Sequence, residues 1–342
     1  MSQSLPKTYK AIEVQSKGGD FKIVDKDLKL PAKNEVLVKV QACGICHSDS
    51  LSKDGIYPIK YPIVPGHEVV GKIVAVGDDA KEWKVGDRVG TGWEGGHCNA
   101  CIPCRKGAFV SCDNGTINGV FKAGGYAEYC IIRKESVVRV PEELDAAEVA
   151  PLLCAGVTVF NSMRNTPAHA GDVVAIQGIG GLGHLAIQYA RAMGFYTVAL
   201  STSDDKKELA VKLGANEFIG TKDVKKQVEG LQKLGGAKII LATAPHADSI
   251  GPMTDGLGLD GTLLVVAAAG PVTVNTNTMI AKRVALRAWA SGSAIDSEET
   301  IKFAQHSGIK CHVERFKMND VEKGYEKMMT NKARFRSVLV FE

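Results

Sequence analysis

Cys98, Cys101, Cys104 and Cys112 crowd into one short stretch, GGHCNACIPCRKGAFVSC. Four thiolates at this spacing complete the tetrahedral shell of a structural zinc and leave no position for a substrate. On spacing alone, unrelated surface thiols or a small iron–sulfur site are the alternatives. His97 adjoins the cluster, but four sulfurs already fill it, so it reads as an ordinary loop residue. A second, dispersed set consists of Cys46 in CGICHSD, His67 in PGHEVVG and Cys154 in PLLCAG. Three Cys or His ligands with an open fourth position are what a catalytic zinc uses. Spacing does not select this trio, because free cysteines are often just small buried residues. Cys43 with Cys46 also spells Cys-x-x-Cys, the pattern of a redox pair, while Cys130 and Cys311 have no spacing partner and read as structural.

A third constellation is GIGGLG, in which Gly178, Gly180 and Gly183 enclose Gly181 and Leu182. It falls between an apolar segment, DVVAIQ, and a helical one, LGHLAIQYARAMG, the placement that lets backbone N–H groups and a helix N-terminus hold a pyrophosphate. Enzymes that prefer NAD usually carry an Asp or Glu about 20 residues further on, at the end of the second strand. Here that place is Ser201, followed by Thr202, Ser203 and Lys206, which offer donors and a positive charge to a 2′-phosphate. The expected cofactor is therefore NADP(H) over NAD(H). Asp204 and Asp205 argue the other way if they point inward, or form a solvated helix cap.

The elements that must position these groups come in two styles. EVLVKV at 35–40 alternates polar with apolar residues, and Val-rich segments recur at 69–77 and 136–140 between Gly and Pro. That first part is predicted to be mostly β. From about 172 the chain alternates short apolar strands with helical stretches, the pattern of a parallel, doubly wound sheet. After 287 the pattern breaks into EETIKFAQ, NDVEKGYEKMM and RSVLVFE, a tail that returns to the first domain. The predicted division is 1–150 with 288–342 against 151–287, in line with two domains for 342 residues. Hydrophobic residues at 45%, charged residues at 23% and a net charge of +4, with both signs interleaved, argue against a membrane span or a nucleic-acid partner. MSQSLPKTYKAIEV lacks the features of a secretory signal, so a cytoplasmic location is expected, where thiols stay free for metals.

CGICHSD, GHE with Gly71 and Gly77, the four-cysteine loop, LCAG and GIGGLG occur in the order seen in zinc-dependent alcohol dehydrogenases of the medium-chain dehydrogenase/reductase superfamily, which this chain resembles from end to end. The resemblance implies an α/β fold, a GroES-like mostly β catalytic domain plus a Rossmann domain. It implies two zinc ions per chain, with Cys46, His67 and Cys154 on the catalytic one, Glu68 as an alternate ligand and Asp49 orienting the His67 ring. It assigns His47 and Arg336 to the cofactor's phosphates, and Tyr57 and Trp93 to the substrate pocket. Ser48 is implied in proton relay, with Asp54 where relatives carry a terminal histidine. Implied with these are hydride exchange between a primary alcohol or aldehyde and the nicotinamide, and a homotetramer. A polyol or secondary-alcohol dehydrogenase and a non-catalytic dinucleotide sensor are the competing readings.

Overall fold

The structure is a computed structural model that describes residues 5–341. Two compact units divide the chain. The first takes the chain up to Cys154, Ser291–Phe303 and the chain from Cys311 onward, and the second takes Ala155–Ala290 and Ala304–Lys310. The turn Ala150–Leu153 packs on strands Glu35–Ile45 and Glu68–Val76, so the division follows Cys154 rather than residue 150.

In the first unit the long strand Glu35–Ile45 organises a seven-stranded sheet. The strand predicted at 35–40 continues to Ile45, where alternation gives way to the buried run 42–45, with register shifts at Leu37/Val38 and Val40/Ala42 that bend it. Strand Glu68–Val76 pairs with it antiparallel and sets Gly44 opposite Glu68. Strand Arg336–Val340 pairs beside its other edge and sets Ser337 opposite Ile45. These two registers bring Cys46, His67, Glu68 and Arg336 to one end of the sheet. An N-terminal hairpin, Thr8–Val14 with Phe21–Asp27, covers part of this unit's core, where Ile12, Val38, Ile73, Tyr126 and Ile132 are inaccessible to solvent or nearly so.

The second unit carries a six-stranded sheet, all parallel. Numbered along this unit, its strands lie in the order 3-2-1-4-5-6, the doubly wound arrangement whose order reverses at the first strand, Val173–Gln177. The buried runs Val174–Gln177 and Ile239–Ala242 explain the continuous apolar reading of these segments, since helices cover both faces. Two strands escaped prediction. Glu217–Gly220 is short, and Ala285–Ala288 is an exposed edge strand with no apolar run to mark it. Among the described residues no single helix is long and apolar enough to cross a membrane.

Candidate metal centres and dinucleotide turn

Cys46 follows directly on strand Glu35–Ile45, and His67 directly precedes the strand paired with it. Cys154 enters from the end of the turn Ala150–Leu153. The result is a cluster in which Cys46, His67, Glu68 and Cys154 each offer a ligand atom, all within 4.8 Å of one another. The Cys154 sulfur lies 3.3 Å from His67 Nε2 and 3.9 Å from the Cys46 sulfur, far beyond the length of a disulfide. Asp49 fixes the imidazole from behind, its Oδ1 accepting from His67 Nδ1 at 3.1 Å. This leaves Nε2 facing the sulfurs, as metal coordination through Nε2 requires.

The electrostatics of the cluster are those of a cation site. The hydrogen bond from the Cys154 thiol, helped by His67, holds Cys46 well below the usual thiol range despite burial. Burial works against a charged His67, but Asp49 outweighs it and raises the ring. Burial lifts Glu68 to about 7, against the pull of Arg336. Glu68 Oε1 is ion-paired to Arg336 Nη2, while Oε2 is buried with no hydrogen-bond partner among the described residues. Two thiols, an oriented imidazole and an orphaned carboxylate oxygen are a donor set that fits zinc. Gly44 is required beside them, because a Cβ there would stand 1.8 Å from Glu68 Oε2.

The four clustered cysteines also converge, their sulfurs all within 4.8 Å, with Cys98 and Cys112 3.5 Å apart. The backbone N–H groups of Ala100 and Cys101 hold the half-buried Cys98 thiol down at about 6, so it offers a thiolate near neutral pH. This set too fits zinc. His97 stays out of it, bonded through Nδ1 to Glu94 at 2.8 Å and stacked on Phe109.

Around the first cluster, Ser48 is partly exposed and His47 exposed, both on the short 3₁₀ turn His47–Asp49. Asp54 is exposed at the end of helix Ser50–Lys53. Trp93 stands edge-on to His67, ring centres 5.1 Å apart. Tyr57 does not reach that ring pair; it packs at 5.9 Å from Phe121, an exposed aromatic that nothing in the sequence had singled out. Arg336, assigned by resemblance to cofactor phosphates, is only 4% exposed and engaged by Glu68, with its Nε unpartnered among the described residues. Tyr126 was also missed. Its hydroxyl donates to Asp49 Oδ2, and an isolated Tyr in GGYAEY carries no spacing signal for that.

In the second unit, Gly178 adopts φ +95°, and a Cβ on Gly183 would lie 1.9 Å from the Gly178 carbonyl oxygen. These two glycines are demanded by the turn itself. Gly180 faces open space, which suits a backbone left bare for a ligand. Lys206 reaches back to the Ile179 carbonyl at 2.7 Å, so the turn and the segment after Ser201 are tied together. Asp205 accepts from the Ser203 hydroxyl at 3.0 Å, and Asp204 packs against Gly220.

Comparison with known proteins agrees with both units. Residues 32–142 match the family described as "Alcohol dehydrogenase GroES-like domain", and residues 181–306 match "Zinc-binding dehydrogenase". "Alcohol dehydrogenase patD" of Penicillium expansum is 46% identical over 339 residues, covering 99% of either chain. The chain belongs to the zinc-dependent alcohol dehydrogenases. This alcohol dehydrogenase is an oxidoreductase of the medium-chain superfamily, a GroES-like domain joined to a Rossmann-like one. Among solved structures, a cinnamyl alcohol dehydrogenase of Sorghum bicolor superposes with a TM-score of 0.89 at 30% identity, covering 98% of each chain. The CAD of Helicobacter pylori complexed with NADP(H) gives 0.86 at 26% identity, over 97% of this chain and 98% of that one.

Proposed function

We propose that the protein reduces aldehydes to primary alcohols, and reverses that reaction, with NADP(H) as the hydride carrier. The observation that carries this reading is the convergence of Cys46, His67 and Cys154 with the orphaned oxygen of Glu68, on an imidazole already aimed by Asp49. Cys46, His67 and Cys154 hold a catalytic zinc, Glu68 serves as alternate ligand, and Cys98, Cys101, Cys104 and Cys112 hold a structural zinc. When bound, the catalytic zinc acts as a Lewis acid on the substrate oxygen, and the nicotinamide gives or takes the hydride. Ser48, partly open to solvent, passes the hydroxyl proton outward, to exposed Asp54, to exposed His47 or to water. Trp93 beside His67 walls the substrate, and the resemblance adds Tyr57, which packs on Phe121.

The first unit is the catalytic domain and the second the dinucleotide domain. Gly178, Gly180, Gly181, Leu182 and Gly183 receive the pyrophosphate. Ser201, Thr202, Ser203 and Lys206 receive the 2′-phosphate; the resemblance adds His47, whereas Arg336, buried and ion-paired to Glu68, belongs with the metal cluster. Support for NADP(H) comes from the neutral residue at 201 with Thr202 and Lys206 near it, while Asp205, bonded to the Ser203 hydroxyl, argues the other way. The resemblance extends the reading to a cytoplasmic homotetramer.

A panel of aldehydes, ketones and polyols, assayed with NADPH and NADH, tests the reading. Aldehyde reduction with higher kcat/KM for NADPH is expected. A clear preference for NADH sinks the cofactor assignment, and preference for ketones or polyols sinks the substrate class. Ser48→Ala is expected to lower kcat by about 10²-fold or more with zinc content intact, and an unchanged kcat removes Ser48 from the relay.

A further inference from the structure

We propose that Tyr126 is a positioning residue for the catalytic metal, acting through Asp49 on both His67 and Cys46. The proposal rests on the reading that Cys46, His67 and Cys154 bind zinc. Asp49 collects three donors: His67 Nδ1 on Oδ1 at 3.1 Å, and the Cys46 N–H at 2.8 Å and the Tyr126 hydroxyl at 2.7 Å on Oδ2. None is in reach of bulk water, with Tyr126 and His67 at 0% exposure and Asp49 at 2%. A carboxylate can pivot about its last bond, and one donor on each oxygen leaves that pivot soft. The second donor on Oδ2 fixes the carboxylate plane, and with it the direction in which Oδ1 holds the imidazole.

Tyr126 can serve as an anchor because its backbone and ring are held by groups other than the ligands themselves. Its N–H donates to the Pro65 carbonyl at 3.0 Å and its carbonyl accepts from Ile12 at 2.7 Å. Its ring lies against Phe21, 6.0 Å between centres. The other side of the ring takes the space of a side chain at position 66, where a Cβ would come within 2.3 Å. Gly66, at φ +97°, directly precedes His67. The ring and the hydroxyl thus set the ligand by two routes, one steric and one by hydrogen bond.

Tyr126→Phe removes the hydroxyl and keeps the ring. Zinc release to a chromogenic chelator is the readout, with Cys46→Ser identifying which phase belongs to the catalytic site. Outer partners of metal ligands are worth about 10–100-fold in affinity, so release from that site is expected to accelerate roughly tenfold. Release from the four-cysteine site stays unchanged, and the visible spectrum of the Co²⁺-loaded protein shifts. Trp83→Leu, in the same core, controls for core loosening: it lowers Tm and is expected to leave zinc release alone. Equal release rates for Tyr126→Phe and the parent overturn the proposal, as does equal acceleration at both sites or by Trp83→Leu. If Cys46→Ser leaves the parent's zinc content unaltered, the metal reading itself fails and takes this proposal with it.

Discussion

Glu68 and Arg336 form an ion pair that water does not reach, at 0% and 4% exposure. A buried pair of this kind adds little net stability, but removing one member strands the other charge, at a cost of about 3–5 kcal/mol. Arg336→Met, of similar length, is therefore expected to lower unfolding free energy by roughly that amount in urea titration. A loss within error would mean that Glu68 is neutral in the folded protein. This pair was not legible in the sequence. Glu68 and Arg336 stand at opposite ends of the chain, and only the pairing of both strands with Glu35–Ile45 makes them neighbours. Cys46 and Cys154 likewise meet only in the fold, through the packing of the turn Ala150–Leu153 on strands Glu35–Ile45 and Glu68–Val76. By contrast Cys98, Cys101, Cys104 and Cys112 are close in sequence, so local chain geometry alone brings them together and spacing reveals them.

Strands and helices contribute differently to the two sites, and their glycines separate the contributions. Gly183→Ala gains helix propensity, about 1 kcal/mol, but places a methyl 1.9 Å from a backbone oxygen that cannot move without opening the turn. Overpacking of this kind costs about 1–3 kcal/mol, so the clash wins and Tm falls. Gly180→Ala meets nothing within 4 Å, so Tm should hold while cofactor affinity drops. Thermal melts with and without NADPH distinguish the two; equal Tm losses would show that Gly180 also has a packing role. The turn was legible because its glycines follow one strand and open one helix. The edge strand Ala285–Ala288 was not, because four exposed residues leave no periodicity to read.

For the whole molecule, the two proposed zinc sites are independent in their ligands and are predicted to be separable. Cys104→Ser should reduce bound zinc from two to one and lower Tm, since a structural metal contributes its binding energy to folding. Cys46→Ser should also reduce it to one, abolishing activity with a smaller loss of Tm, and the double variant should bind none. Elemental analysis of the purified variants decides; loss of both ions from either single variant would show the sites to be coupled. The order of strands around Glu35–Ile45 also has a consequence for biosynthesis. Cys46, His67, Glu68 and Cys154 leave the ribosome long before Arg336, and domains tend to form from the N-terminus as the chain is made. The strand that carries the countercharge to Glu68 belongs to the same unit as the ligands, so that unit closes only when Arg336–Val340 has joined Glu35–Ile45. The ligands of the first cluster are thus made early and their arginine late, and one sheet has to wait for both.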